Sequence, residues 1–219
     1  MSKRIAVMQP YFFPYAGYFR LFSEVDEFVV YDCVQFPRRG RVHRTQVPGS
    51  HGRVEWLTLP LSRQPVETLI HQLSFASGAR NEFDQRLSHL PWFAGANGPA
   101  APRIREYLSS PMASVLGFVE NGLQLVNAIL GTSKTIVRSS SLHLDPELRN
   151  QNRVLAIVAA RGATHYLNAP GGREIYDETV FRRVGVRLEF LPAYTGRFVH
   201  LLHALMTEDP AAIRADLPL

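Results

Sequence analysis

Cysteine is nearly missing: Cys33 is the only one in 219 residues. One sulfur closes no disulfide within the chain and builds no cysteine-based zinc site, so a disulfide scaffold and a zinc ribbon are both excluded. Lysine is almost as scarce, with Lys3 and Lys134 alone, and arginine carries nearly all the positive charge. No apolar run reaches the roughly 18–20 residues that span a bilayer. The opening string MSKRIAVMQPYFFPY is basic and then apolar, but Gln9, Pro10 and Pro14 interrupt it and no small-residue cleavage site follows. It reads as a strand and a loop rather than a signal peptide, which makes the cytoplasm the expected compartment. There is no GxxxxGK[ST] phosphate loop, no convincing GxGxxG fingerprint and no GxSxG nucleophile elbow. His200 and His203 lie three apart without a third ligand at useful spacing, so no metal site is expected.

What is present is ordinary globular material. Hydrophobic residues make up 46% and charged residues 20%, which excludes wholesale disorder. A chain of this length buries about two-thirds or more of its unfolded surface. The net charge of +5, carried by arginine, has two readings. Guanidinium forks suit an anionic substrate, and an arginine-rich, lysine-poor composition also follows from GC-rich coding. The excess is too diffuse to argue for DNA by itself.

Periodicity divides the chain into three parts. Arg4–Met8 is a short apolar strand, and Gln9–Tyr15 cannot be helical with two prolines around an aromatic run. Gly17–Val25 has helical spacing, and Glu27–Val34 is a β-branched, aromatic strand. Strand, helix and strand in that order imply a parallel sheet with a right-handed crossover. A basic loop, Gln35–Arg44, precedes a further strand at Glu55–Leu61. From Arg80 to Gly131 the chain reads as helical, with a loop at Gly95–Pro102. The last third alternates again, with strands at Thr135–Val137, His165–Asn168 and Val186–Leu191. Helices are predicted at Leu148–Arg161, Glu174–Val184, Val199–Met206 and Pro210–Asp216. The expectation is one α/β domain over 1–219, a Rossmann-like parallel sheet with a helical insertion at about 79–131.

Three loops follow predicted strands, at the sheet edge where open α/β folds bind ligands. The first is QPYFFPYAGY, with Gly17 at a helix start and Gln9, Tyr11 and Tyr18 offering polar-tipped contacts. Phe12 and Phe13 there read as core. The second, YDCVQFPRRGRVHR, gathers Asp32, Gln35, Arg38, Arg39, His43 and Arg44, which could hold a phosphate or carboxylate or form a solvated basic loop. The third, HYLNAPGG, offers Asn168 and the Gly171–Gly172 pair for close approach to a ligand, or a plain turn. Cys33, on a strand, reads as packing.

Together these strings resemble the WbqC-like family of bacterial proteins. The carriers are IAVMQPYFFPYAGYFRLF, VDEFVVYDCVQFPRRGRVHR, WLTLPL and YLNAPGGREIYDETVFRRVGVRLEFL, in that order over nearly the whole chain. Gln9, Tyr11, Pro14, Gly17 and Tyr18 match the first motif, Asp32, Gln35, Gly40 and Arg44 the second, and Asn168, Gly171 and Gly172 the third. Cys33, Arg41, Thr45 and His203 depart from the family pattern. The resemblance implies surface-polysaccharide synthesis, O-antigen and lipopolysaccharide included, by acyl or aminoacyl transfer to an amino sugar. It needs an activated acyl or aminoacyl donor, with charged tRNA one form of it, and has no certain cofactor. A looser, fold-level likeness to nucleotidylyltransferases puts Tyr15-Ala16-Gly17-Tyr18 where those enzymes carry HxGH.

The leading expectation is therefore a transferase acting on a nucleotide-linked amino sugar. Gln9 and Tyr18 position the acceptor, Arg38, Arg39 and Arg44 grip phosphate, and Asp32 or His43 takes the proton. Arginines around Asp32 would keep it ionised and weakly basic, which favours His43. Gln9, Tyr18, Asp32, Gln35 and Arg44 are expected to line one pocket. The alternative is a nucleotide-sugar-binding protein without catalysis.

Overall fold

Side chains of a strand alternate between faces, so a sheet buried on both sides needs two cores. The computed structural model describes residues 2–217. Its strands are β1 (Arg4–Met8), β2 (Glu27–Val30), β3 (Arg44–Pro48), β4 (Val54–Thr58), β5 (Thr135–Arg138), β6 (His165–Asn168) and β7 (Arg187–Phe190). Its helices are α1 (Arg20–Glu24), α2 (Ala79–Ser88), α3 (Ala101–Leu108), α4 (Val115–Leu130), α5 (Asn150–Ala160), α6 (Glu178–Arg183), α7 (Leu201–Thr207) and α8 (Pro210–Ala215). Ala6, Phe28, Val30 and Leu167 enter a core that α1, α4 and α7 share. Their strand neighbours Ile5, Val7, Val29, Tyr166 and Leu188 enter a second core, with Val154, Ile157 and Val158 of α5 and Phe181 of α6.

Five strands form one parallel sheet in the order β5-β2-β1-β6-β7. The chain runs outward from β1 through β2 to β5, then returns to the other side of β1 for β6 and β7. This is the doubly wound, Rossmann-like α/β order, and its reversal point lies between β1 and β6. The opposite, amino-terminal edge is closed by charge. Glu27, 5% exposed, accepts from Arg161 Nε at 2.7 Å and Nη2 at 2.8 Å and from Lys3 Nζ at 3.2 Å. The Arg161 bonds hold its carboxyl below the ordinary range.

Several elements are shorter than their sequence pattern. The strand expected over Glu27–Val34 stops at Val30, because Asp32 turns out of the sheet to bond Ser139 and Ser140. The helix expected over Gly17–Val25 is a 3-10 turn, Ala16–Phe19, running into α1. The helix expected over Glu174–Val184 begins only at Glu178, where Asp177 Oδ1 caps Thr179 N at 2.9 Å. The strand expected at Glu55–Leu61 is β4, paired antiparallel with β3 in a separate two-stranded sheet. Phe12 and Phe13 are both buried, and Thr45 Oγ1 donates to the Phe13 carbonyl at 2.7 Å.

Candidate functional site

At the reversal point the loops leaving β1 and β6 separate, which opens a crevice beyond the carboxyl ends of those strands. A cleft of about 450 Å³ occupies it, lined by Gln9, Tyr11, Gly17, Tyr18, Asn168, Gly171 and Gly172. These are the residues of the first and third loops, and the fold brings them together. Two glycines keep the space clear. A Cβ on Gly17 would lie 2.5 Å from Tyr194 Cβ, and one on Gly172 would strike the Asn168 amide and lie 3.1 Å from the Phe190 ring.

A second cleft, of about 830 Å³, lies beyond β2 and β5. Gln35, His71, Ser140, His143, Arg149 and Arg153 line it. Gln9, Tyr31, Ile175 and Tyr176 line both clefts, so the two adjoin. At the larger cleft His143 (φ 49°) and Asn150 (φ 48°) hold left-handed backbone, which costs about 1–3 kcal/mol per residue and recurs at functional sites.

Tyr18 is buried, and its hydroxyl donates to the Gln9 carbonyl at 2.9 Å. Burial lifts its phenol well above the ordinary value, so it is a fixed donor that positions Gln9 and not a proton shuttle. Asn168, 5% exposed, accepts from Ala169 N at 2.7 Å. Gln35 donates to the Val66 carbonyl at 2.8 Å.

The second loop divides differently from expectation. Asp32 is 0% exposed and lines neither cleft. Its Oδ1 accepts from Ser139 Oγ and Ser140 N, both at 2.8 Å, and its Oδ2 from Ser140 Oγ at 2.6 Å. Serines surround it where arginines were expected, and its lone pairs are used in joining β2 to β5. It clasps the end of β2 to the end of β5. His43 also lies outside both clefts, edge-on to Phe36 at 5.0 Å. Burial first, then Arg44 and Arg86, drives its pKa down to about 4, which makes it a weak base as well as a remote one. Arg38 donates to the Gln64 carbonyl at 2.6 Å, and Arg44 donates to the carbonyls of Gly40 and Arg39 and lies 4.2 Å over Trp56. Arg38, Arg39 and Arg44 line neither cleft, so the pocket expected to join Gln9 to Arg44 does not form. Backbone carbonyls hold the Arg38 and Arg44 side chains, and the Trp56 face also packs Arg44.

Other residues take those places. Arg20 and Arg41 line the smaller cleft and Arg149 and Arg153 the larger. Arg153 donates to the carbonyls of Leu148 and Asp145, each at 2.9 Å, and to Cys33 Sγ at 3.2 Å. His71 Nδ1 lies 3.1 Å from the Asp32 carbonyl, which can only accept, so in the neutral ring Nδ1 carries the hydrogen and Nε2 the lone pair. An arginine on a helix reads in sequence as a solvated face, and nothing local marks Arg20 or Arg153. Ser139–Ser141 did carry a signal, because it follows the Thr135–Val137 strand at the same edge. Of the departures from the family pattern, Cys33 and Arg41 sit at the clefts. Thr45 is core, and His203 packs edge-on to Trp92 at 4.9 Å.

Among the described residues no helix is long and apolar enough to cross a membrane, and no group of three or more His, Cys, Asp or Glu is arranged for a metal. A family model, the WbqC-like protein family, matches residues 9–202. The uncharacterized protein Rv1507c of Mycobacterium tuberculosis (strain ATCC 25618 / H37Rv) is 28% identical over 197 residues, covering 85% of this chain and 80% of that one. No solved structure matches.

Proposed function

This chain belongs to the WbqC-like protein family, and from that membership and the shape of its carboxyl edge we propose a transferase that moves an acyl or aminoacyl group onto a nucleotide-linked amino sugar. One observation carries the reading: two clefts of different lining meet at Gln9, Tyr31, Ile175 and Tyr176. Group transfer needs two substrates held end to end with their reacting atoms in contact, and adjoining clefts supply that arrangement. A sheet edge with one pocket would serve a binding protein equally well.

The chemistry divides between the clefts. The sugar amine attacks the carbonyl of the activated donor. A C–N bond forms, the donor's leaving group departs with the electron pair of its bond to carbon, and the amine loses a proton. His71, with Nε2 free and its ring fixed through Nδ1, is the proton acceptor in the larger cleft. Arg149 and Arg153 put positive charge beside the same space, where a tetrahedral oxyanion would develop. Tyr18 acts through Gln9 as a positioning residue. The setting is O-antigen, lipopolysaccharide or related surface-glycan synthesis, in the cytoplasm, where nucleotide sugars and activated acyl donors occur together.

The second reading is a nucleotide-sugar-binding protein, and one observation favours it: Asp32, the acid of the second family motif, lines neither cleft and is committed to Ser139 and Ser140. Product formation separates the two. Purified protein is incubated with nucleotide-linked amino sugars and with acyl thioesters or aminoacyl-tRNA, and products are read by mass spectrometry. Transfer gives a sugar heavier by the acyl group, and His71→Gln slows it by about 10²–10⁴-fold, the usual share of a general base. Sugar binding with no mass shift under any donor would leave the binding reading.

A further inference from the structure

The smaller cleft contains a positive charge that joins no ion pair among the described residues; the Asp216 carboxylate accepts instead from the hydroxyl of Tyr194, a residue of its wall. Arg20, the first residue of α1, is 4% exposed. Among the described residues its guanidinium makes one hydrogen bond, from Nη1 to the Pro192 carbonyl at 3.2 Å, and its buried Nε has no partner. It forms no ion pair there, and no aspartate or glutamate lines the cleft. Arg41 lines the same cleft, donates only to the Gln46 side-chain oxygen at 3.2 Å, and likewise joins no ion pair among the described residues. Tyr15 lies within the field of both: burial raises its phenol pKa, and Arg20 and Arg41 each oppose the rise. Tyr15 and Tyr194 lie tilted to one another at 5.7 Å between ring centres, and Tyr11 and Tyr18 at 5.5 Å.

A buried guanidinium without a counter-charge is expensive to hold, and folded proteins keep one where an anion completes it. Two unpaired cations in one cleft offset a dianion, and the tetrahedral oxygens of a phosphoryl group can meet both guanidinium forks at one centre, whereas a dicarboxylate of equal charge spreads it over two separate planar groups. The volume, about 450 Å³, exceeds what phosphate alone fills. We propose that this cleft is a phosphoryl-binding site, in which Arg20 and Arg41 hold the oxygens of a phosphate or diphosphate ester and Tyr11, Tyr15 and Tyr194 face the group that the ester carries. The inference deepens the transferase reading and rests on it only in taking that ester to be the nucleotide-linked sugar. It directs the sugar past Gln9 and Tyr31 toward the larger cleft.

The test uses the purified full chain with four probes: uridine diphosphate, glucosamine 1-phosphate, inorganic pyrophosphate and malonate. Isothermal titration gives affinity, and thermal denaturation gives the shift in Tm on binding. Wild type binds the phosphoryl probes and not malonate. Binding of uridine diphosphate alone assigns a nucleotide, whereas equal binding of pyrophosphate assigns the bare diphosphate. Arg20→Met and Arg41→Met each weaken binding at least tenfold, and Arg44→Met, on the hairpin, leaves it unchanged. Without probe, Arg20→Met melts at or above the wild-type temperature, because it removes an unpaired buried charge. Three results overturn the proposal: no phosphoryl probe bound at millimolar concentration, malonate bound as well as phosphoryl probes, or undiminished binding by either Met variant. Failure of Arg20→Met to fold would show a strut to Pro192 and count against the proposal for Arg20, and Arg41→Met then decides the site. A protein that binds these probes and transfers nothing loses the transferase reading and keeps this one. A protein that transfers but prefers malonate loses this one alone.

Discussion

Replacing Asp32 by alanine removes three acceptor contacts at once. Ser139 Oγ and Ser140 N lose a partner at 2.8 Å, and Ser140 Oγ loses one at 2.6 Å. Asp32 is fully buried and Ser139 is 2% exposed, so the Ser139 hydroxyl is left orphaned, whereas Ser140 lines the larger cleft and its two donors regain part of the loss from water. An orphaned buried polar group costs about 1–3 kcal/mol, and relaxation recovers part of the sum. A loss of about 3–5 kcal/mol follows for the three contacts together. For a chain of this size each kcal/mol lowers Tm by about 2–4 °C, giving a fall of roughly 6–20 °C. Asp32→Asn is milder, about 1–2 kcal/mol, because the amide oxygen keeps two acceptances and the Ser140 hydroxyl can turn to accept from the new NH₂. Calorimetry and denaturant unfolding at neutral pH measure both variants, and a double-mutant cycle with Ser140→Ala isolates the pair. The same reasoning requires folded Asp32→Asn to bind pyrophosphate as wild type does, since the carboxylate lines neither cleft. An alanine variant within 1 kcal/mol of wild type, or an asparagine variant of normal stability that no longer binds, would refute the clasp.

Gly17→Ala places a methyl 2.5 Å from Tyr194 Cβ and should cost about 1–3 kcal/mol and reduce probe affinity, whereas Gly171→Ala, with nothing within 4 Å of its Cβ, should be neutral in denaturant melts. His43 has a folded pKa of about 4 against an ordinary 6.5. The unfolded chain therefore takes up the proton first, and stability should fall as pH drops from 6.5 toward 4; NMR should show the His43 ring unprotonated until about pH 4. Glu27, with its pKa below the ordinary 4.5, adds stability above that value and loses it as pH falls further, a component that Glu27→Gln should remove from the pH–Tm profile.

The sheet was legible because its signals are local. Arg4–Met8 and His165–Asn168 are apolar runs bounded by proline or turn residues, and β1 and β6 occupy those spans. The early end of β2 was not legible, because it depends on Ser139 and Ser140, more than 100 residues away. The Glu174–Val184 pattern overran for a different reason: Asp177 is a good cap inside an otherwise helical composition. At the site, the loops of Gln9–Tyr18 and Asn168–Gly172 could be placed on one edge once parallel strands were expected. The arginines could not. Of those in Gln35–Arg44, Arg44 bonds its own loop, Arg38 bonds Gln64 and Arg41 alone reaches a cleft, while Arg20 and Arg153 stand alone in sequence and face the clefts only through packing.

A crystal structure with a uridine-diphosphate-linked amino sugar shows whether the ligand occupies the paired clefts on the carboxyl edge. The expected density puts diphosphate oxygens against Arg20 and Arg41, the base or sugar over Tyr15 and Tyr194, and the amine past Gln9 and Tyr31 toward His71. Density for the nucleotide on the hairpin face beside Arg38, Arg39 and Arg44, with both clefts unfilled, would contradict it.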